Sequence, residues 1–129
     1  MRADPVVERE VWDFLDRYGE ALGNNDAEGL LALFTGDDDA MVIGSVSGEF
    51  GVGQAQVTAF FRGLFTEPQY LSLGWERVEV FCAGDVAWFG ADGALMARGN
   101  RIAYRLSGVL RRCDGQWKLA QYHGSVPQV

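Results

Sequence analysis

Apolar side chains recur every three or four positions near the start of the chain, at Val7, Val11, Phe14, Leu15, Tyr18 and Leu22, while Arg9, Asp13, Asp16, Arg17 and Glu20 fall between them. That spacing lays one apolar stripe along a helix. Asp4-Pro5 opens it, the aspartate as cap and the proline at the first helical position, and Gly23-Asn24-Asn25 ends it. Asp26 caps a second, short helix whose buried side is Leu30, Leu31 and Phe34. The two form a tight helical pair. After an acidic loop from Thr35 to Asp39, Met41-Val42-Ile43 starts an extended stretch that glycines and serines interrupt between Gly44 and Gly53, which reads as an irregular edge hairpin. Val57, Phe60, Phe61, Leu64 and Phe65 then return to helical spacing, and Glu67-Pro68 terminates that third helix.

From Tyr70 onward aromatic and branched residues run in segments punctuated by Gly84-Asp85, Asp92-Gly93, Gly99-Asn100 and Asp114-Gly115. This predicts a meander of four strands, over residues 70–83, 85–97, 101–112 and 116–125. Helices first and sheet afterwards is an α+β order, not the alternation of a doubly wound fold. A chain of 129 residues is enough for one core, so residues 1–129 are expected to form a single domain.

Composition narrows the function. The net charge of -7, with no basic stripe, disfavours nucleic acid and acidic lipid surfaces as partners. Neither a signal-peptide pattern nor an apolar run near the roughly 18 residues of a membrane span is present, which places the chain in the cytoplasm, away from membranes. There Cys82 and Cys113 are expected as reduced thiols. One histidine and two cysteines lack the local spacing of a zinc site, and Asp37-Asp38-Asp39 reads as a solvated loop, so no metal and no cofactor is expected.

Strand alternation nominates site residues. In the last strand Trp117, Leu119, Gln121, His123 and Ser125 share one face, and Lys118 marks the other, with Ala120, Tyr122 and Gly124, as outer. An inner face that passes from apolar to polar is what a pocket needs. His123 serves there either as a satisfied core histidine or as a general base. Tyr18 lies on the apolar stripe of the first helix, and its hydroxyl needs a partner. Asp92 shares a face with Val86, Trp88 and Gly90, although Asp92-Gly93 is also a turn signal. Arg105 is opposite in parity to Tyr104, Leu106 and Leu110; turned inward, it would pair with Glu76 or Asp92 or bind an anionic ligand. The candidates are therefore His123, Tyr18 and Asp92 for catalysis, and Gln121, Trp88, Arg105 and Trp12 for ligand binding.

Tyr18-Gly19-Glu20-Ala21-Leu22 with Asn25-Asp26, Gly84-Asp85-Val86-Ala87-Trp88, and Asp114-Gly115-Gln116-Trp117 resemble, in order and spacing, the SnoaL-like branch of the nuclear transport factor two-like superfamily. The ending Gln121-Tyr122-His123-Gly124-Ser125-Val126-Pro127 is similar to the tail of the calcium/calmodulin-dependent protein kinase II association domain, departing from it at Gly124, where that family is expected to carry arginine. The resemblance implies a cone-shaped, cystatin-like roll: about three N-terminal helices on the concave face of a curved antiparallel sheet, a cavity between them, and a homodimer through the outer sheet face. It also implies two readings of different class. In one, the protein binds a hydrophobic, carbonyl-containing small molecule, and Ala120, Tyr122 and Leu110 form the dimer contact. In the other it is a cofactor-independent isomerase, cyclase or dehydratase, with His123 as general base, Tyr18 or Gln121 donating to the enolate oxygen and Trp88 as an apolar wall.

Overall fold

The computed structural model describes residues 1–66 and 71–128. Helix α1 spans Pro5–Gly23, with the Asp4 carboxylate accepting from the Val7 amide, and α2 spans Ala27–Leu31, with Asp26 accepting from Gly29. Both caps are the ones the sequence predicts, because a carboxylate satisfies amides that the first turn leaves free. Strands β1 (Met41–Ile43) and β2 (Phe50–Val52) make the short hairpin, and α3 covers Gln54–Leu64. The Glu67-Pro68 stop and Tyr70 lie outside the described residues. The meander follows as β3 (Leu71–Ala83), β4 (Val86–Ala97), β5 (Asn100–Cys113) and β6 (Gln116–Ser125).

All six strands belong to one curved sheet in the order β2-β1-β6-β5-β4-β3. The expectation of an antiparallel sheet needs one correction: β1 pairs with β6 in parallel, Met41 opposite Gln121 and Ile43 opposite His123. The chain crosses from that hairpin to the far edge through α3, so β1 can join β6 in the parallel sense. Asp92-Gly93, read as a turn signal, lies inside an uninterrupted β4. Gly93 instead serves a close approach, since a Cβ there would sit 2.0 Å from the Gly74 carbonyl oxygen.

Two β-bulges decide which side chains face the helices. In β5/β6, Val109 pairs with Gln121 but its neighbour Leu110 pairs with Leu119, which leaves Ala120 as an extra residue. Such an insertion shifts the alternation by one position. Trp117 and Leu119 are buried before it, and Tyr122 and Gly124 after it, while His123 is exposed. The bulge coincides with a change of neighbour: the Leu119 backbone bonds Leu33 and Thr35, and the residues beyond Ala120 pair with β1. In β3/β4, Trp75 pairs with Gly93 and Arg77 with Asp92, so Glu76 is the extra residue. These irregularities bend the sheet around a core of Val11, Phe14, Leu15, Tyr18, Phe61, Leu106, Leu110 and Leu119. Among the described residues no helix is long and apolar enough to cross a membrane.

Candidate functional site

A cavity of about 250 Å³ opens between α1, α3 and the concave sheet face. Leu22, Phe60, Leu64, Leu71 and Leu95 line it with apolar surface, and Tyr18, Tyr104, Tyr122 and Glu49 supply polar atoms. Val46, Leu64 and Val126 at its mouth are exposed.

The tyrosines come from three distant elements: Tyr18 from α1, Tyr104 from β5 and Tyr122 from β6. Their hydroxyls form a chain, Tyr18 to Tyr122 at 2.8 Å and Tyr122 to Tyr104 at 2.7 Å. Among the described residues these two links use two of the three hydroxyl protons, so one O–H remains to be donated to a guest. Burial raises all three pKa values above the ordinary tyrosine range, and the trio is therefore a set of neutral donors. For Tyr104 and Tyr122 the nearby Glu49 charge adds a smaller push in the same direction.

Glycine makes room for these groups. A Cβ at Gly124 would lie 1.9 Å from the Tyr104 hydroxyl, so only a bare α-carbon lets Tyr104 reach Tyr122. Gly44 directly follows β1, the neighbour of β6, and a Cβ there would lie 2.5 Å from Glu49 Oε1. The Glu49 carboxylate is held over that glycine by the Val46 amide, which donates to Oε1 at 2.9 Å.

Of the seven candidates from the sequence, Tyr18 alone lines this cavity. Gln121, His123 and Ser125 are on the convex face, because the Ala120 bulge inverts the parity expected of an unbroken strand. The residues expected for the dimer contact, Ala120, Tyr122 and Leu110, are not a convex patch: the bulge turns Tyr122 into the core, and Leu110 is buried because it shares the inward parity of Leu106 in β5. Trp88 is 39% exposed and stacks on Phe81 at 6.3 Å between ring centroids. Asp92 and Arg105 are opposite each other on the outer face, 3.5 Å apart, whereas Glu76 pairs with Arg101. Trp12 is half-buried on α1 and forms no part of the cavity lining. The convex face has its own open depression of about 410 Å³, floored by Gly90 and lined by Arg77, Asp92, Arg105, Ser107 and His123. Asp37 forms an ion pair with Arg111, and both cysteines are free.

Sequence reasoning missed Tyr104, Tyr122 and Glu49. Tyr104 shares parity with Leu106 and Leu110, which was a usable signal for an inward tyrosine. Tyr122 was masked by the bulge, and Glu49 by its irregular loop.

The comparisons with known proteins agree with this architecture. No curated protein sequence matches the chain. Its fold is similar to that of a candidate dehydratase from Streptomyces avermitilis, with 19% identity, a TM-score of 0.85 and coverage of 98% of this chain and 100% of that one. A candidate scytalone dehydratase from Novosphingobium aromaticivorans gives 18% identity, a TM-score of 0.81 and coverage of 95% and 85%. A candidate calcium/calmodulin-dependent protein kinase II association domain from Xanthomonas campestris gives 22%, 0.75, and 94% and 89%. At these identities the likeness is one of fold. The SnoaL-like domain family matches residues 11–128, a span that takes in most of α1 and every strand around the cavity, and the chain belongs to that family.

Proposed function

We propose that the inner cavity binds a compact, largely apolar molecule through a polar end held by the tyrosine hydroxyls, a carbonyl compound being the simplest case. The observation that carries this reading is the three-hydroxyl chain with one proton unspent among the described residues, set in a largely apolar lining. A site of about 250 Å³ is slightly below the roughly 300–1,000 Å³ of drug-sized pockets, which favours a one- or two-ring guest. The candidate dehydratases among its structural neighbours support a cavity suited to oxygenated small molecules.

The position of Glu49 favours a second reading, cofactor-independent proton transfer beside a carbonyl. His123 is separated from the tyrosines by the thickness of the sheet, so the base in that reading is Glu49, the charged side chain among the described lining residues. Its carboxylate takes the proton from the carbon next to the carbonyl, and the C–H electron pair becomes the enolate C=C bond. The carbonyl π pair moves onto oxygen, where a tyrosine O–H holds it. Protonation also neutralises Glu49, which removes its charge from the site as the enolate forms.

Both readings are tested with indanone and tetralone. Ligand-observed NMR is expected to show binding that weakens about two- to ten-fold in Tyr104→Phe, the equivalent of one net hydrogen bond. Absence of binding by every ketone, at any concentration up to solubility, would remove the first reading. For the second, solvent deuterium should enter the position next to the carbonyl with wild-type protein and not with Glu49→Gln; equal rates for the two proteins would refute it.

A further inference from the structure

The inner cavity combines three tyrosine rings and Phe60 with one carboxylate and no cationic side chain among its described lining residues. From this composition we propose that the site is charge-selective, and that among guests with the same apolar body it takes the one bearing a protonated amine. This rests on the pocket reading above and deepens it by naming the ligand class.

The first argument is electrostatic. Among the described residues, Glu49 has one oxygen engaged by the Val46 amide and Oε2 open to accept from a guest. Its negative field reaches the hydroxyls of Tyr104 and Tyr122, where it already disfavours further negative charge. An ammonium placed between Glu49 and the tyrosine oxygens reverses that sign, donating to the carboxylate in a charge-assisted hydrogen bond and to phenol lone pairs in neutral ones. The second argument concerns the walls. Aromatic faces carry negative charge density, and rings around a single carboxylate favour an organic cation over a neutral or anionic guest. The third is long-range: a chain of net charge -7 draws cations towards it and repels anions. The opposite selectivity would need an inward arginine or lysine, and the described arginines nearest in register, Arg77 and Arg105, lie on the convex side.

Phenethylamine, phenethyl alcohol and phenylacetate share one ring and linker and carry positive, zero and negative charge at neutral pH. Titrated into the whole protein by ligand-observed NMR, the amine is expected to bind about ten-fold more tightly than the alcohol, and phenylacetate more weakly than either. In Glu49→Gln the ratio of amine to alcohol should collapse towards one. Glu79→Gln, on the convex face, should retain the wild-type ratio. Alcohol binding as tight as amine binding, or a ratio unchanged in Glu49→Gln, would overturn the charge selectivity and leave the pocket reading standing. Failure of all three to bind would likewise overturn the charge selectivity, while the pocket reading would still stand or fall with the ketone titration.

Discussion

The Tyr104 hydroxyl occupies space that any side chain at position 124 would need, and this makes Gly124 the residue on which the polar wall depends. Gly124→Ala is expected to cost about 1–3 kcal/mol in denaturant unfolding, through overpacking and loss of the Tyr104–Tyr122 hydrogen bond. Adding Tyr104→Phe should return part of that loss, since it removes the clashing oxygen; a neutral Gly124→Ala would show that the hydroxyl does not need the space. The tyrosines also predict an alkaline limit. Their folded pKa values are raised above the ordinary 10.0, so above about pH 10 the unfolded chain releases protons that the folded chain keeps. The stability they contribute is therefore complete below that pH and declines above it, by about 1.4 kcal/mol per pH unit for each buried tyrosine. Unfolding midpoints followed across this range should fall less steeply in Tyr18→Phe. Phenolate absorbance from these groups appearing before unfolding would contradict it.

At the scale of the elements, the β6 bulge assigns Tyr122 to the core and His123 to the convex side. Tyr122→Ala should destabilise by about 3–5 kcal/mol, because it empties a volume packed against Phe34, Phe61 and Tyr18. His123→Ala should change stability by about 0.5 kcal/mol or less, the usual effect at an exposed position. Thermal or denaturant unfolding of the two variants in dilute solution checks this directly, and the reverse ranking would restore the unbroken alternation. Residues 1–3 play a smaller part at the opposite edge, where the Ala3 amide bonds the Val80 carbonyl and the Cys82 amide bonds that of Met1. They cover part of the free side of β3, which would otherwise expose unpaired backbone.

For the whole molecule, the convex face presents an apolar row of Phe81, Trp88 and Val109 and, across the row of Glu79, Gly90 and Ser107, a row of alternating charge, Arg77, Asp92 and Arg105. A surface that carries both signs and exposed aromatics can meet its own copy about a two-fold axis. We propose a homodimer through this face, with these residues in place of the Ala120, Tyr122 and Leu110 contact expected from the sequence. Sedimentation should show two copies for the wild type and one for Trp88→Glu, with the circular dichroism of the fold retained because Trp88 lies outside the core. A monomeric wild type at all accessible concentrations would count against it.

The helical stripe of α1, the aspartate caps, the Gly23 stop and the hairpin turn at Asp114-Gly115, where both residues adopt positive φ, were legible in the sequence. Each depends on side chains within a few residues of one another, so periodicity and turn chemistry determined the elements, their order and the α+β class. The orientation of β6 was not legible, because Ala120 bulges only where its strand leaves the 33–35 segment and takes β1 as neighbour. Nothing local to Ala120 encodes that exchange. The tyrosine chain was hidden for the same physical reason: its hydroxyls are 104 and 18 residues apart and meet only across a folded sheet, over a glycine whose missing Cβ has meaning only once Tyr104 lies against it.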